Sequence, residues 1–362
     1  PKGLDTRRDD VTFHFEEEHG RTPPELTTAV DVVEVAKPVF AFSVQVDDAK
    51  GGNGDGLPQQ GETFAIRVDV RNVGAGPSGD KTYVSLKNLG DEKLFLTKGR
   101  DSIGALRPGE TKSARLELEL KRGSKNAALP IRVMVVDEAM DEYVSEKLEL
   151  PIAKATAAPE PATGVVRVQA AEAALRSGAS DAAPPIATAK KGAVLPVDAK
   201  IGPFYRVQWA KGRFAFASEA DVAAAAKGVR SGAIAAVWQR EPPRITLVPD
   251  PAKGPPVVDS ETFRLEGSAL VPPSADPSAR LRDVYVFVGE QKVFFKVVPE
   301  SDAAPKLDFA ADLPLEPGIN LVTVFARESD EFQSRRSMVV YRTPPAKVAQ
   351  DARGTRDAGR AQ

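Results

Sequence analysis

The sequence has no cysteine and only two histidines, three methionines and two tryptophans. Nowhere does it run for about 18 apolar residues, the length a membrane helix needs. Without cysteine there is neither a disulfide framework nor a thiolate metal site, although the redox compartment stays open. His14 and His19 lie close together near the start, so no complete domain can assemble a Cys-His or Ser-His-Asp set. An apolar signal-peptide core is missing as well. The chain begins at Pro1, and it reads as an excerpt whose remainder lies upstream.

Charge of one sign is also lacking. Lys and Arg number 49 against 51 Asp and Glu, a net −2, and the charges are interspersed rather than gathered into basic stripes. Nucleic acid is therefore not an implied partner, and no membrane span is implied either. What is abundant is turn chemistry: 30 prolines and 28 glycines spread over 362 residues without a collagen period. A chain of that length holds two to four domains of roughly 100 residues.

Apolar and polar residues alternate over short runs bounded by Gly, Pro, Asn and Asp, which is the period of strands. The predicted class is all-β. Residues 38–153 carry strands at Phe40–Val46, Phe64–Val70, Tyr83–Leu86, Ala114–Leu120, Ile131–Val136 and Lys147–Ile152, with turn signals between them. That pattern predicts an Ig-like β-sandwich of about seven strands. Residues 1–37 read as the C-terminal hairpin of a truncated upstream Ig-like domain, pairing Val11–Phe15 with Thr28–Val35. Residues 244–342 predict a second Ig-like sandwich. The tail 343–362 is polar and predicted to be disordered.

Between the sandwiches, 154–163 is an Ala/Pro-rich linker and 223–243 is predicted as a linker or short helix stopped by Pro242-Pro243. Both predict mobile domain orientations. In residues 164–222 the order is a strand, an Ala/Ser/Pro loop, Lys191-Gly192, a strand ending at Asp198, Phe204-Tyr205-Arg206-Val207-Gln208-Trp209, Lys211-Gly212 and Arg213-Phe214-Ala215-Phe216. This layout resembles the bacterial SH3-like barrel, with Ala215 where that family carries Gly. The fold expectation is thus tandem Ig-like β-sandwiches with a small SH3-like barrel between them.

Three clusters merit a chemical reading. Asp47, Asp48, Asn53, Asp55 and Glu62 lie in VDDAKGGNGDGLPQQGE, a set of oxygen ligands suited to Ca²⁺. The spacing only partly matches an EF-hand, and the competing reading is an Asx/Gly turn anchored by Glu62. Tyr205 with Trp209, and Phe214 with Phe216, share strand faces and form a candidate groove for extended peptide or glycan; the competing reading is barrel core. Ser78-Gly79-Asp80-Lys81 matches S-x-x-K and Gly74–Gly79 matches G-x-G-x-x-G, but both fall in one loop with Pro77 inside and no helix following. A strand connection explains them.

The string KPVFAFSVQVDDAKGGNGDGLPQQGETFAIRVDVRNVGAGPSGDKTYVSLKNLGDEKLFLTKGRDSIGALRPGETKSA, continued by VVDEAMDEYVSEKLELPI and the SH3-like unit, resembles the C-terminal accessory region of myxobacterial-type tail-specific (carboxyl-terminal processing) serine proteases. The likeness covers roughly residues 10–220. It implies export to the periplasm or cell envelope, and upstream PDZ and protease domains of the same polypeptide as partners. Neither the nucleophile motif nor its lysine occurs here, so no catalytic residue carries over and this chain is expected not to be an enzyme. The expected role is a non-catalytic binding and positioning region of an exported serine endopeptidase, touching polypeptide or peptidoglycan. The alternative is a stand-alone adhesin or glycan-binding surface protein.

Overall fold

A computed structural model describes residues 7–16, 20, 24–32, 36–154, 159–226, 232–273, 279–299, 305–330 and 332–344. His19, the centre of the first linker, part of the second and nearly all of the tail lie outside these. The described chain is all-β, with a single 3-10 turn at Pro251–Lys253 and no α-helix among the described residues.

Strict alternation builds the first sandwich. One sheet runs Phe40–Asp47, Glu62–Asn72, Thr111–Leu120, Leu94–Lys98, and the other runs Glu142–Pro151, Ala128–Asp137, Thr82–Asn88, Arg100–Ser102. Every second residue of the long strands faces inward, so Phe42, Val44, Ile66, Val68, Leu116 and Leu118 meet Val84, Ile131, Val133 and Val135 in one core. The short strands at 94–98 and 100–102 add to the six expected.

The third unit is again a sandwich. Its sheets are Arg244–Val248, Thr262–Leu270, Lys306–Pro314, facing Val257–Val258, Gln333–Arg342, Gly318–Arg327, Asp283–Val288, Gln291–Val297. Leu265, Val284, Val286, Leu313, Val322 and Val324 fill its centre. At the start of the chain, Arg7–Phe13 pairs with Leu26–Val32 as a separate two-stranded sheet that leaves Val11, Phe13, Leu26 and Val30 exposed.

The barrel expectation needs correction. Residues 160–236 form one open antiparallel sheet in the order Val222–Ala225, Glu160–Val168, Val194–Ile201, Phe204–Ala210, Arg213–Ser218, Glu172–Arg176, Pro185–Lys190, Ile234–Ala236. Closure would require Glu160–Val168 to pair with Pro185–Lys190. Each instead gives its second edge to a short strand, 222–225 and 234–236 respectively. The sheet still folds over a single core of Val166, Leu175, Leu195, Val207 and Trp209.

The two linkers are corrected too. Residues 160–163 already belong to a strand. The described part of 223–243 holds no helix: it supplies edge strands to the middle sheet, and residues 237–241 then cross to the first sandwich. There the Phe42 amide donates to the Arg240 carbonyl at 2.9 Å and the Arg240 amide returns to Phe42 at 3.0 Å. The Gln239 side chain stands in for a neighbouring strand, accepting from the Val44 amide at 2.8 Å and donating to its carbonyl at 3.0 Å. Ser43 completes the seam by donating to the Val237 carbonyl. The expected loose joint is a docked strap.

Candidate functional site

The loop Asp48–Glu62 is organised by one buried carboxylate. Asp48, 2 % exposed, accepts from the backbone amides of Gly54 at 2.8 Å, Gly56 at 3.0 Å and Asp55 at 3.2 Å. Left-handed φ values of 78° at Gly54 and 74° at Gly56 turn these amides inward, a conformation only glycine adopts without strain. Asp55, fully buried, accepts from Leu57 N and the Gln59 side chain, and Glu62 accepts from Asn53 N and Gln59 N.

Asp48, Asn53, Asp55 and Glu62 are thus brought together, whereas Asp47 is not. It turns away to pair with Arg115. Backbone N–H groups aim at the Asp48 oxygens, which a calcium ion, taking six to eight oxygens, would have to share. Among the described residues no group of three or more His, Cys, Asp or Glu is arranged to hold a metal. The geometry favours the Asx/Gly turn.

This turn is also a joint. A Cβ on Gly56 would lie 2.7 Å from Phe216 Cε2 and 2.8 Å from the Ser177 carbonyl of the middle unit, and one on Gly178 would lie 2.8 Å from the Gly56 carbonyl. Two glycine loops therefore meet backbone to backbone. Around them the Ala179 amide donates to the Asp55 carbonyl at 2.8 Å, Gln45 donates to the carbonyls of Ser177 and Phe214, Arg67 donates to the Gly212 carbonyl, and Arg213 pairs with Asp69.

The candidate groove is divided by this arrangement. Tyr205 and Trp209 lie on the face of the middle sheet that forms its main core. Phe216 lies on the opposite face, buried with Phe204 and Ile201 against the Gly56 loop, while Phe214 is 41 % exposed. The four rings line no common surface. A cavity of about 410 Å³ opens beside the loop, lined by Gln59, Gln60, Asn126, Ile152, Ala153 and Lys154. Its amide side chains are engaged within the protein, with Asp55, Ser124 and Asp91 respectively.

The S-x-x-K serine is structural. Ser78 Oγ accepts from Thr82 Oγ1 and from the Leu106 amide, which ties the loop to the strand that follows it. Neighbouring Asn72 is fully buried and uses both ends of its amide, accepting from Val39 and Gly74 and donating to the carbonyls of Gly76 and Leu106. Sequence reasoning missed the residues that join first and third sandwiches: Gln239, Arg240 and Phe332. A Trp-Gln-Arg run inside a supposed linker, and a phenylalanine in a turn, were the available signals.

The fold and this site define an all-β, multi-module protein whose most elaborate loops serve contacts between its own units. No protein-family model matches the chain, and neither does any curated protein. Among solved structures it is similar to the crystal structure of dimeric latent PorU from Porphyromonas gingivalis, at 12 % identity and a TM-score of 0.20, over 84 % of this chain and 34 % of that one. The chain thus spans about a third of that structure. At such a TM-score nothing is transferred from PorU.

Three outcomes follow for the loop. Asp48→Ala strips the Gly54 and Gly56 amides of their acceptor, while the Asp55 amide keeps Asn53 Oδ1 at 3.1 Å, and is expected to cost about 2 kcal/mol or more in denaturant unfolding; a loss under about 0.5 kcal/mol, the size of an ordinary surface change, would refute the central role of this carboxylate. Burial, then repulsion from Asp48 and Asp55, raises the Glu62 carboxyl above its ordinary value against the amides of Asn53 and Gln59. Burial likewise raises Asp48, against the Gly56 amide. The folded chain therefore holds these protons more tightly than the unfolded chain, and stability should rise as pH falls from neutral into the window just above the ordinary carboxylate range. Burial raises Asp91 and Asp101 but their several hydrogen bonds together outweigh it, and the Arg282 hydrogen bond lowers Asp330, so the contribution of all three is lost only at lower pH. Measured against Glu62→Gln, the wild type should gain stability in that window, and a flat or reversed difference would contradict the assignment. Calcium chloride at millimolar concentration is expected to leave Tm unchanged; a rise of several degrees would show that the loop rearranges into a cation site.

Proposed function

We propose that this chain is the non-catalytic positioning region of an exported serine endopeptidase of the tail-specific type, holding polypeptide or cell-wall material relative to upstream PDZ and protease domains. What supports the reading is the use to which the resemblance string is put. Its GNGDG loop folds as the joint with the middle unit, and its Phe40–Asp47 strand receives the strap that leads to the third. A region whose most specific residues orient modules against one another suits positioning. A binding role of this kind needs no titrating group, and affinity along strand edges or module faces would suffice.

The reading frame immediately upstream of Pro1, once translated, is expected to hold a PDZ-sized segment and a Ser-Lys protease core. If it holds further β-modules and a signal peptide instead, the protease assignment falls and a surface-binding protein is left.

A further inference from the structure

The third sandwich reaches into the first through one side chain. Phe332 lies in the turn between Gly318–Arg327 and Gln333–Arg342, yet it is fully buried and belongs to the hydrophobic core of the first sandwich. The turn is shaped to present it. The amides of Glu328 and Ser329 donate to the Phe332 carbonyl, and the Phe332 amide donates to Ser329 Oγ.

Arg240 closes over it. Its guanidinium lies 4.2 Å from the centre of the Phe332 ring and pairs with Glu146 of the first sandwich at 2.9 Å and Glu328 of the third at 3.2 Å. The arginine is 7 % exposed, and its own backbone is the strap's hydrogen-bonded partner of Phe42. One residue therefore ties three segments distant in sequence. Nearby, Ser334 Oγ donates to the Pro243 carbonyl and Arg335 pairs with Glu142, which also takes Lys37.

The joint to the middle unit differs in kind. Beyond the Phe216 contact and the meeting of the two glycine loops, with its one Ala179–Asp55 backbone hydrogen bond, it is made of polar side chains on backbone carbonyls and the Arg213–Asp69 pair. An apolar knob in a core couples two bodies more strongly than such rim contacts do.

We propose that Phe332 and Arg240 are a latch that makes first and third sandwiches one cooperative body, with the middle unit inserted between them as a side module. Closed, the latch covers the sheet edge at Phe40–Val44 with the strap. Open, it leaves Pro242-Pro243 as the pivot and bares that edge, whose outward backbone groups then need water or another strand. The latch is independent of what lies upstream of the chain.

Hydrogen exchange on the intact chain tests it. In the wild type the Phe42 and Arg240 amides should exchange as slowly as the core amide of Leu116. In Phe332→Ala they should exchange about a thousandfold faster, matching the cost of emptying a buried phenylalanine site, while Leu116 changes far less. Phe332→Leu, which refills most of the volume, should restore most of the protection. Arg240→Lys keeps charge but loses the planar fork, so it should accelerate the same two amides if Phe332→Ala proves too unstable to study. Equal acceleration everywhere would mean that Phe332 is only a core residue, and unchanged Phe42 and Arg240 amides would mean there is no latch; either result overturns the proposal.

Discussion

A strand at the edge of a sheet can be buried only if its outward N–H and C=O groups are satisfied, because each one left unpaired away from water costs more than a hydrogen bond returns. Phe40–Asp47 is such a strand. Its inward residues Phe40, Phe42, Val44 and Val46 are core, and Ala41 and Ser43 on its other face are buried as well. The backbone of Arg240 and the side-chain amide of Gln239 meet that demand, and the Ser43 hydroxyl adds a bond to the Val237 carbonyl. Once the strap is seated there, the third sandwich has little freedom: it begins at Arg244, a few residues beyond Arg240, and the Phe332 turn comes down on the same spot.

The glycine loop answers a similar demand by other means. Three amides converge on Asp48, and the resulting turn is flat enough for a second glycine loop to lie against it. Its cost is a set of buried and half-buried carboxylates: burial first, with repulsion between neighbours added, raises the Asp48 and Glu62 carboxyls. Surface ion pairs contribute little by comparison: Arg264–Asp312 and Lys306–Asp308 are largely solvated, and exposed pairs are worth about 0–1 kcal/mol.

Much of the fold was legible in the sequence because strand burial has period two. Phe64–Val70 and Ala114–Leu120 announce their inward faces residue by residue, and the sandwich expected over residues 244–342 forms. Leu94–Lys98 was not legible, being short and set among charges. The open middle sheet was hidden for a different reason. Its closing positions are taken by the four-residue strand 222–225 and the three-residue strand 234–236, runs of small apolar residues that carry no alternation. At the candidate site, the pairing of Tyr205 with Trp209 on one face follows from alternation, but that this face is core and Phe216's face a domain joint depends on tertiary packing. The strap was misread because its partners lie nearly two hundred residues earlier and one of them is met by a glutamine side chain rather than a strand backbone. Local pattern cannot report that.

The central claim is that the described modules form one body held by packed joints, where composition alone predicts beads on mobile linkers. Small-angle X-ray scattering of the intact chain tests it most directly. The account predicts a profile fitted by a single arrangement of the three units and unchanged between low and high salt, since the joints rest on packing and backbone hydrogen bonds rather than on exposed charge. A profile that needs an ensemble of domain orientations would contradict it.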